Sequence, residues 1–500
     1  MHSLKKKTVF TALSRTVSTV FEFFTQLLIT PLILNGLGQY IYGVYSLINK
    51  ASGYLSFVDL RPTAILRYKL AVLQHSSDIS EKKKFIGAAL YLSTICFPII
   101  LLAGIVVSYI FPVIFNIANE YITISRAALI VTAVFLGLQS FMGVPEAILR
   151  GNNIEYKTIF IEPVRNLAYI GFVWVALSLN YGILGVIFAS FASYLIAFLL
   201  KLFLQKKYLP EYTPQKPDKE QITEFSKRGG WYLFSSFSFH LLQSLDVIII
   251  GFFYTPVFVT IFTLTKTLAF RMSESVVMLT GSISAGLGDL IGRKDKNSLL
   301  KIRYQLIRVN FIIGFILFSY FYLFNSSFIN LWVGENNFAG NGVNLLLCLT
   351  IPFILLSMSS QIFVDAYLRF NYKAIIIFFS SIVSIGFSLL FVKFWGIVGI
   401  ALAILLGRVM LWIGYEWIIS KEIKIEILRV LLENKKLFLF MCVMTPIIYL
   451  IKINPINSWI TFIVLSVVFL FVFLLLIFLV VLTRSERKEC ITLLKKRISR

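Results

Sequence analysis

Long apolar runs separated by short polar connections make up the whole chain. Fourteen runs reach or approach the roughly 20 residues that a helix needs to cross the hydrocarbon core of a bilayer. They are 8–34, 39–65, 85–111, 123–149, 159–180, 182–204, 231–251, 256–283, 309–331, 341–367, 374–395, 397–419, 437–452 and 458–482. The pattern predicts an all-α polytopic membrane protein of about fourteen transmembrane helices. Lys5-Lys6-Lys7 before the first run has the charge of a signal-peptide start. The run continues to Leu34 with no small-residue cleavage site, so it reads as a retained span.

The connections alternate in charge. One set is basic: 66–84, 150–158, 205–230, 284–308 (with Arg293, Lys294, Lys301, Arg303 and Arg308), 368–373, 420–436 and the tail from Thr483. The other set, 35–38, 112–122, 180–181, 252–255 and 332–340, is almost free of Lys and Arg; only Arg126, Lys393 and Lys452 lie near that side. Cations concentrate in cytoplasmic loops, so the basic set is predicted inside and both termini cytoplasmic.

Two stretches of the chain resemble each other. Ala147-Ile148-Leu149-Arg150 matches Ala366-Tyr367-Leu368-Arg369, each followed by a Tyr-Lys pair, Tyr156-Lys157 and Tyr372-Lys373. Tyr181-Gly182-Ile183-Leu184-Gly185-Val186 matches Trp395-Gly396-Ile397-Val398-Gly399-Ile400, and Tyr45-Ser46-Leu47 matches Phe262-Thr263-Leu264. The offsets are 219, 214 and 217 residues, in order along the chain, which predicts a duplicated six-helix unit. An even number of spans per unit gives parallel-oriented repeats, and transporters place a central cavity at such a repeat interface. The expected division is 1–204 (first six-helix half), 205–230 (a cytoplasmic linker with Pro210, Pro214 and Pro217), 231–420 (second half), 421–482 (two additional helices) and 483–500 (a basic cytoplasmic tail).

Composition narrows the function. Of the residues 58% are hydrophobic and 14% charged, against about 25% charged in soluble proteins. The net charge of +23 would suit nucleic acid, but the cations sit in loops between apolar runs, so no nucleic-acid partner is expected. The four cysteines lack C-x-x-C or Cys/His ligand spacing, so neither metal nor disulfide framework is indicated. There is no G-x-x-x-x-G-K-[ST] and no H-E-x-x-H, and no long soluble loop could house a sugar-nucleotide site. The chain reads as no enzyme and as needing no cofactor.

Charges within spans carry the remaining information, because burying one in a bilayer costs at least about 2.5–3.5 kcal/mol. Arg15 and Glu22 share a face of span one, and Lys50 lies in span two. His240 and Asp246 lie in span seven, Lys266, Arg271 and Glu274 in span eight, and Arg408 in span twelve. Lys50 and Lys266 fall at equivalent repeat positions to within one residue. Salt bridging, such as Arg15 with Glu22 or Arg271 with Glu274, would account for single residues. The excess of Arg15, Lys50, Lys266, Arg271 and Arg408 over the acids points instead to an anionic ligand in the cavity. Arg61 beside Asp59, Glu162 with Arg165, Asp365 and Glu416 are shallower and read as gate or packing groups.

Leu37-Gly38-Gln39-Tyr40-Ile41-Tyr42-Gly43-Val44-Tyr45-Ser46-Leu47, then Phe57-Val58-Asp59-Leu60 before a basic loop, resembles bacterial polysaccharide flippases. These are O-antigen-type members of the multidrug/oligosaccharidyl-lipid/polysaccharide exporter (MOP) superfamily. The resemblance spans the whole chain, with Asp59-Leu60-Arg61 where Asp-Leu-Gly is expected. It implies a protein of the bacterial cytoplasmic membrane. Its partner would be an undecaprenyl-pyrophosphate-linked glycan, moved by alternating access for O-antigen or capsule (lipopolysaccharide or surface polysaccharide) biosynthesis beside other polysaccharide assembly proteins. Related lipid II flippases use cations in spans one, two and eight, where Arg15, Lys50 and Lys266 or Arg271 stand here. Protons or sodium are the implied coupling ions, with Glu22 or Asp246 as candidate carriers.

Three other readings compete. An ion-coupled drug/cation antiporter of the same superfamily would have an acidic site for cations, which the cation surplus disfavours. A membrane polysaccharide polymerase or glycosyltransferase would show a large outer loop. An assembly scaffold would transport nothing.

Overall fold

The computed structural model describes residues 2–55, 62–76, 78–280, 295–367, 369–423, 435–451 and 456–482, with isolated positions between 287 and 293 and after 482. Within these helices, the side chains at 2–17, 19–20, 75, 226–233, 235–236, 277–280 and 435–438 are outside the description, as are Asp59, Leu60 and Arg61. The helices are α1 (His2–Leu55), α2 (Pro62–Val72), α3 (Ile79–Ile114), α4 (Asn119–Met142), α5 (Val144–Gly151), α6 (Ile161–Ser178), α7 (Gly182–Tyr208), α8 (Lys219–Phe253), α9 (Pro256–Thr280), α10 (Lys296–Val333), α11 (Asn341–Ala366), α12 (Phe370–Ile423), α13 (Lys435–Leu450) and α14 (Trp459–Leu476). The all-α polytopic class read from the hydropathy pattern is the class of the structure. Among the described residues nine helical stretches are long and apolar enough to cross a membrane.

Two of the predicted boundaries survive only as single glycines. α1 and α12 each join two expected spans. The break in α1 is Gly38 (φ 76°) and the break in α12 is Gly396 (φ 59°). A positive φ is costly for any residue with a Cβ, so glycine is the residue that turns the chain without a loop. Gly182, the repeat counterpart of Gly396, also has positive φ, at 56°. It follows a Schellman ending of α6: Asn180 sits at φ 57°, its N–H bonds Leu177 O at 3.0 Å, and the Tyr181 N–H bonds Ala176 O at 3.0 Å. The repeated aromatic-Gly motif thus carries the same backbone device in both places.

The chain divides into two units, Met1–Thr263 and Leu264–Arg500. In the first, the second segment of α1 packs on α8 and the start of α9. Gly43 lies so close to Pro256 that an added Cβ would stand 1.9 Å from its carbonyl oxygen, and Thr260 Oγ1 donates to Gln39 O at 2.7 Å. At one end of this unit a compact apolar cluster joins α2, α3 and α5 through Leu66, Leu70, Phe85, Ile86 and Ile148.

Residues 205–230, expected as a linker, place Leu209, Tyr212 and Phe225 in that cluster and Ile222 against it. α7 runs on to Tyr208, and α8 starts at Lys219, where Gln221 Oε1 accepts the Asp218 N–H at 2.9 Å. Between them the chain lies as a strap. Leu209 and Tyr212 enter the apolar cluster, Tyr212 Oη donates to Asn152 Oδ1 at 2.7 Å, and the Gln215 N–H bonds Lys83 O at 3.2 Å. Gly87 admits the strap: a Cβ there would stand 1.7 Å from Gln215 O. Lys82, counted above among the loop cations, is buried and donates to Ser76 O at 2.9 Å.

In the second unit α10 begins at Lys296, well before the expected span start at 309, because Asp295 caps it by accepting the Ser298 N–H at 3.1 Å. Hydrogen bonds from Ser298 hold the Asp295 carboxyl below the usual carboxylate range. α10 and α11 approach closely at Gly314, where an added Cβ would meet Pro352 Cα at 2.8 Å. Such small-residue contacts are how membrane helices gain packing without a hydrophobic driving force. α14 lays Phe462, Ser466 and Phe473 on α10. Phe473 stacks near Phe315 (5.7 Å between centroids), and Tyr320 Oη donates to Ser466 Oγ at 3.2 Å. Span fourteen therefore has one protein-facing stripe, although its composition is apolar all round.

Candidate functional site

The site residues expected from the sequence fall in both units. In the first, Arg15 lies on α1 with its side chain outside the described residues, and Glu22 on the same helix is exposed. Lys50 is half-buried near the end of α1, and Asp246 is buried on α8. The structure brings the helices of these last two together. Gly53 stands against the His240 ring, with an added Cβ 3.5 Å from Nδ1, and Tyr54 lies within electrostatic reach of Asp246. His240 is thus a packing partner of α1.

In the second unit, Lys266 and Arg271 share α9 and Arg408 lies on the second segment of α12. Lys266 Nζ sits 4.8 Å from the centre of the Phe270 ring, a cation–π contact. Arg271 is exposed and pairs with Glu274, Nη1 to Oε2, at 3.3 Å, so the salt-bridge alternative holds for this residue, one turn along the same helix. Arg408 is 2% exposed.

Two further charge clusters contain groups expected from the sequence, Glu162 with Arg165 in the first and Glu416 in the second, together with Lys201 and Arg303, which carried no such expectation. The first joins α5, α6 and α7. Lys201 Nζ lies 2.7 Å from both Glu146 Oε2 and Glu162 Oε1, and only 5% of Lys201 is exposed. Glu146 also holds Arg150 at 2.9 Å, Arg150 reaches Glu155 at 3.2 Å, and Glu162 holds Arg165 at 3.1 Å. Three acids meet three bases, so the cluster is neutral and retains no charge for a ligand. Lys201 was hidden because its partners stand 55 and 39 residues earlier in the chain.

The second cluster lies in the interior of the second unit. Arg303, assigned above to the connection 284–308, is completely buried on α10 and pairs with Glu416 of α12. Ser360 of α11 accepts from Arg303 Nη2 at 2.8 Å and donates to Glu416 Oε1 at 2.6 Å. The expectation for Arg303 is corrected by the early start of α10. Glu416, expected to be a gate or packing group, is half of this pair. Arg303 Nε and Nη1 are buried without a hydrogen-bond partner among the described residues, and its guanidinium carbon lies 5.1 Å from the centre of the Phe363 ring.

Among the described residues no group of three or more His, Cys, Asp or Glu is placed to hold a metal ion. A cavity of about 540 Å³ between α6 and α7 is apolar, lined by Phe172, Ala176, Tyr181, Gly185 and Phe188, and contains none of the predicted site residues.

No protein-family model matches the chain, and no curated protein matches it by comparison. Solved structures do. An inward-facing multidrug resistance MATE family transporter of the MOP superfamily aligns at a TM-score of 0.68 with 16% identity, covering 80% of this chain and 95% of that one. The lipid II flippase MurJ, in an inward closed conformation, aligns at 0.66 with 15% identity, covering 91% of this chain and 97% of that one. A MOP superfamily transporter from Pyrococcus furiosus aligns at 0.55 with 14% identity, covering 84% and 97%. At these identities the likeness is one of architecture: the chain has the fold of MOP-superfamily transporters.

Proposed function

We propose that this protein is a flippase. It moves an undecaprenyl-pyrophosphate-linked oligosaccharide across the bacterial cytoplasmic membrane by alternating access, for assembly of a surface polysaccharide. The observation that carries the reading is the likeness to a lipid II flippase over 91% of this chain. The cationic character of the intramembrane residues Lys50, Lys266 and Arg408 fits the same substrate class. A pyrophosphate leaving water needs charge-assisted partners, and guanidinium and ammonium groups supply them. In this reading Lys50, Lys266, Arg271, Arg408 and Arg15 bind the headgroup, and Asp246 or Glu22 carries the coupling ion.

Export of a lipid-linked glycan in cells lacking their own flippase tests the reading. Wild type should restore surface polysaccharide. Lys50→Gln and Lys266→Gln should remove it while the protein remains in the membrane. Normal export by both variants would end the headgroup assignment, and no export by wild type with any glycan would end the flippase assignment.

A second reading is proton- or sodium-driven export of cationic drugs. The buried carboxylate of Asp246 and the MATE-like architecture favour it. Drug resistance conferred by wild type and lost in Asp246→Asn, with no effect on glycan export, would select this reading over the first.

A further inference from the structure

The repeated Tyr-Lys pair is neutralised in one unit and left charged in the other. In the second unit Lys373 Nζ donates to both oxygens of Asp365, at 2.8 and 3.0 Å, and nearby Arg369 is held by Glu422 at 2.7 Å. In the first unit the counterpart of Lys373 is Lys157. Its Nζ lies 3.3 Å from the centre of the Tyr208 ring and 6.0 Å from that of Tyr156. Lys207 Nζ lies 5.7 Å from the same Tyr208 ring, and Lys206 and Lys207 are both exposed. None of these three lysines takes part in an ion pair among the described residues. The nearest acid in sequence, Glu155, is occupied by Arg150 at 3.2 Å. An aromatic face attracts an ammonium group but does not cancel its charge, so the cluster keeps its donors for an anion.

The apolar surface below the cluster says what kind of anion. Phe203 is 62% exposed and Leu199 is 53% exposed on the membrane-spanning part of α7. Lys206 and Lys207 stand three and four residues after Phe203, on the same helix face. A ligand seated here meets cations at the helix end and hydrocarbon-facing side chains one turn deeper. That is the shape of a phospholipid, with a charged head and apolar chains, and not of free phosphate. We infer that Lys157 and Lys207 at the Tyr208 ring, with the exposed Lys206 next to Lys207 in the chain, bind the phosphate of an anionic phospholipid in the leaflet at this end of α7, and that the second unit has no equivalent site at Lys373.

Native mass spectrometry of the full-length protein in detergent, offered phosphatidylglycerol and phosphatidylcholine in equal amounts, tests this. Wild type should retain phosphatidylglycerol in preference. Lys157→Gln with Lys206→Gln and Lys207→Gln should lose about fivefold of that preference per lysine removed, while Lys373→Gln should keep it. The wild-type preference should also fall as salt is raised, and millimolar inorganic phosphate should leave it intact. Three results would each overturn the assignment. They are equal retention of both lipids by wild type, which would make the lysines mere interfacial anchors, an undiminished preference in the triple variant, and displacement of the lipid by inorganic phosphate. None of these measurements depends on what the protein transports.

Discussion

Arg303 on α10 and Glu416 on α12 form an ion pair inside the second unit, with Ser360 of α11 bonded to both. Three helices are fastened by one buried charged knot. Removing one partner leaves the other charge uncompensated, which costs about 3–5 kcal/mol in buried pairs. Arg303→Ala and Glu416→Ala should each lower the thermal midpoint of the detergent-solubilised protein sharply. Arg303→Met combined with Glu416→Leu should recover most of the loss, since an apolar pair of similar volume removes both desolvation penalties. A double variant as unstable as the single ones would mean that the pair itself, and not its isolated charges, stabilises the fold.

Lys201 gives a second stability prediction with a different signature. Lys201→Met would strand Glu146 and Glu162 beside each other, with only Arg150 and Arg165 left to neutralise them. A loss of about 3 kcal/mol is expected. Glu146→Gln in that background should restore part of it by removing one stranded charge. Melting curves of the three proteins decide; full additivity of the two substitutions would show that they do not share a network.

The glycines of the repeated motif should respond alike. Gly182 and Gly396 have φ of 56° and 59°. A Cβ at positive φ costs of order 1–3 kcal/mol, so Gly182→Ala and Gly396→Ala should both destabilise the protein. At Gly182 no atom lies within 4 Å of the added carbon, so the penalty there would be backbone strain alone. Chemical denaturation of both variants measures it, and a wild-type midpoint for either would remove the shared role.

Membrane topology can be read by cysteine labelling. With Cys442 and Cys490 replaced by Ser, Asn336→Cys on the Lys/Arg-poor connection 332–340 should label in intact cells. Glu211→Cys in the strap should label only after permeabilisation. Asn336 is the choice over its neighbour Asn337, whose side chain is buried and bonded to Val333 O at 2.7 Å. The reverse labelling pattern would invert the protein in the membrane.

What the sequence made legible follows from the range of the interactions concerned. Span positions depend on local apolarity, and several, such as 182–204, 341–367 and 437–452, match the helices within a few residues, as do the breaks at Gly38 and Gly396. α1 and α12 each hold the two expected spans, joined at one positive-φ glycine that turns the chain without a polar loop. The starts of α8 and α10 were placed late, since Asp218 and Asp295 cap helices that run on outside the apolar stretch. Arg303 and Lys201 were illegible for another reason. Each is one cation among many in a basic chain, and only folding brings its carboxylates to it.

The same two knots differ in when they can be tied. Lys201 leaves the ribosome after Glu146 and Glu162, its partners 55 and 39 residues upstream. Its charge can be met as α7 enters the membrane. Arg303 precedes Glu416 by 113 residues. Throughout the synthesis of α11 and most of α12, the guanidinium of α10 precedes the carboxylate that it meets in the folded unit. The first unit also closes late pairs, Lys84 with Asp218 and Lys69 with Glu224, but those side chains keep solvent exposure, so it is biogenesis of the second unit that carries the wait of a cation destined for complete burial.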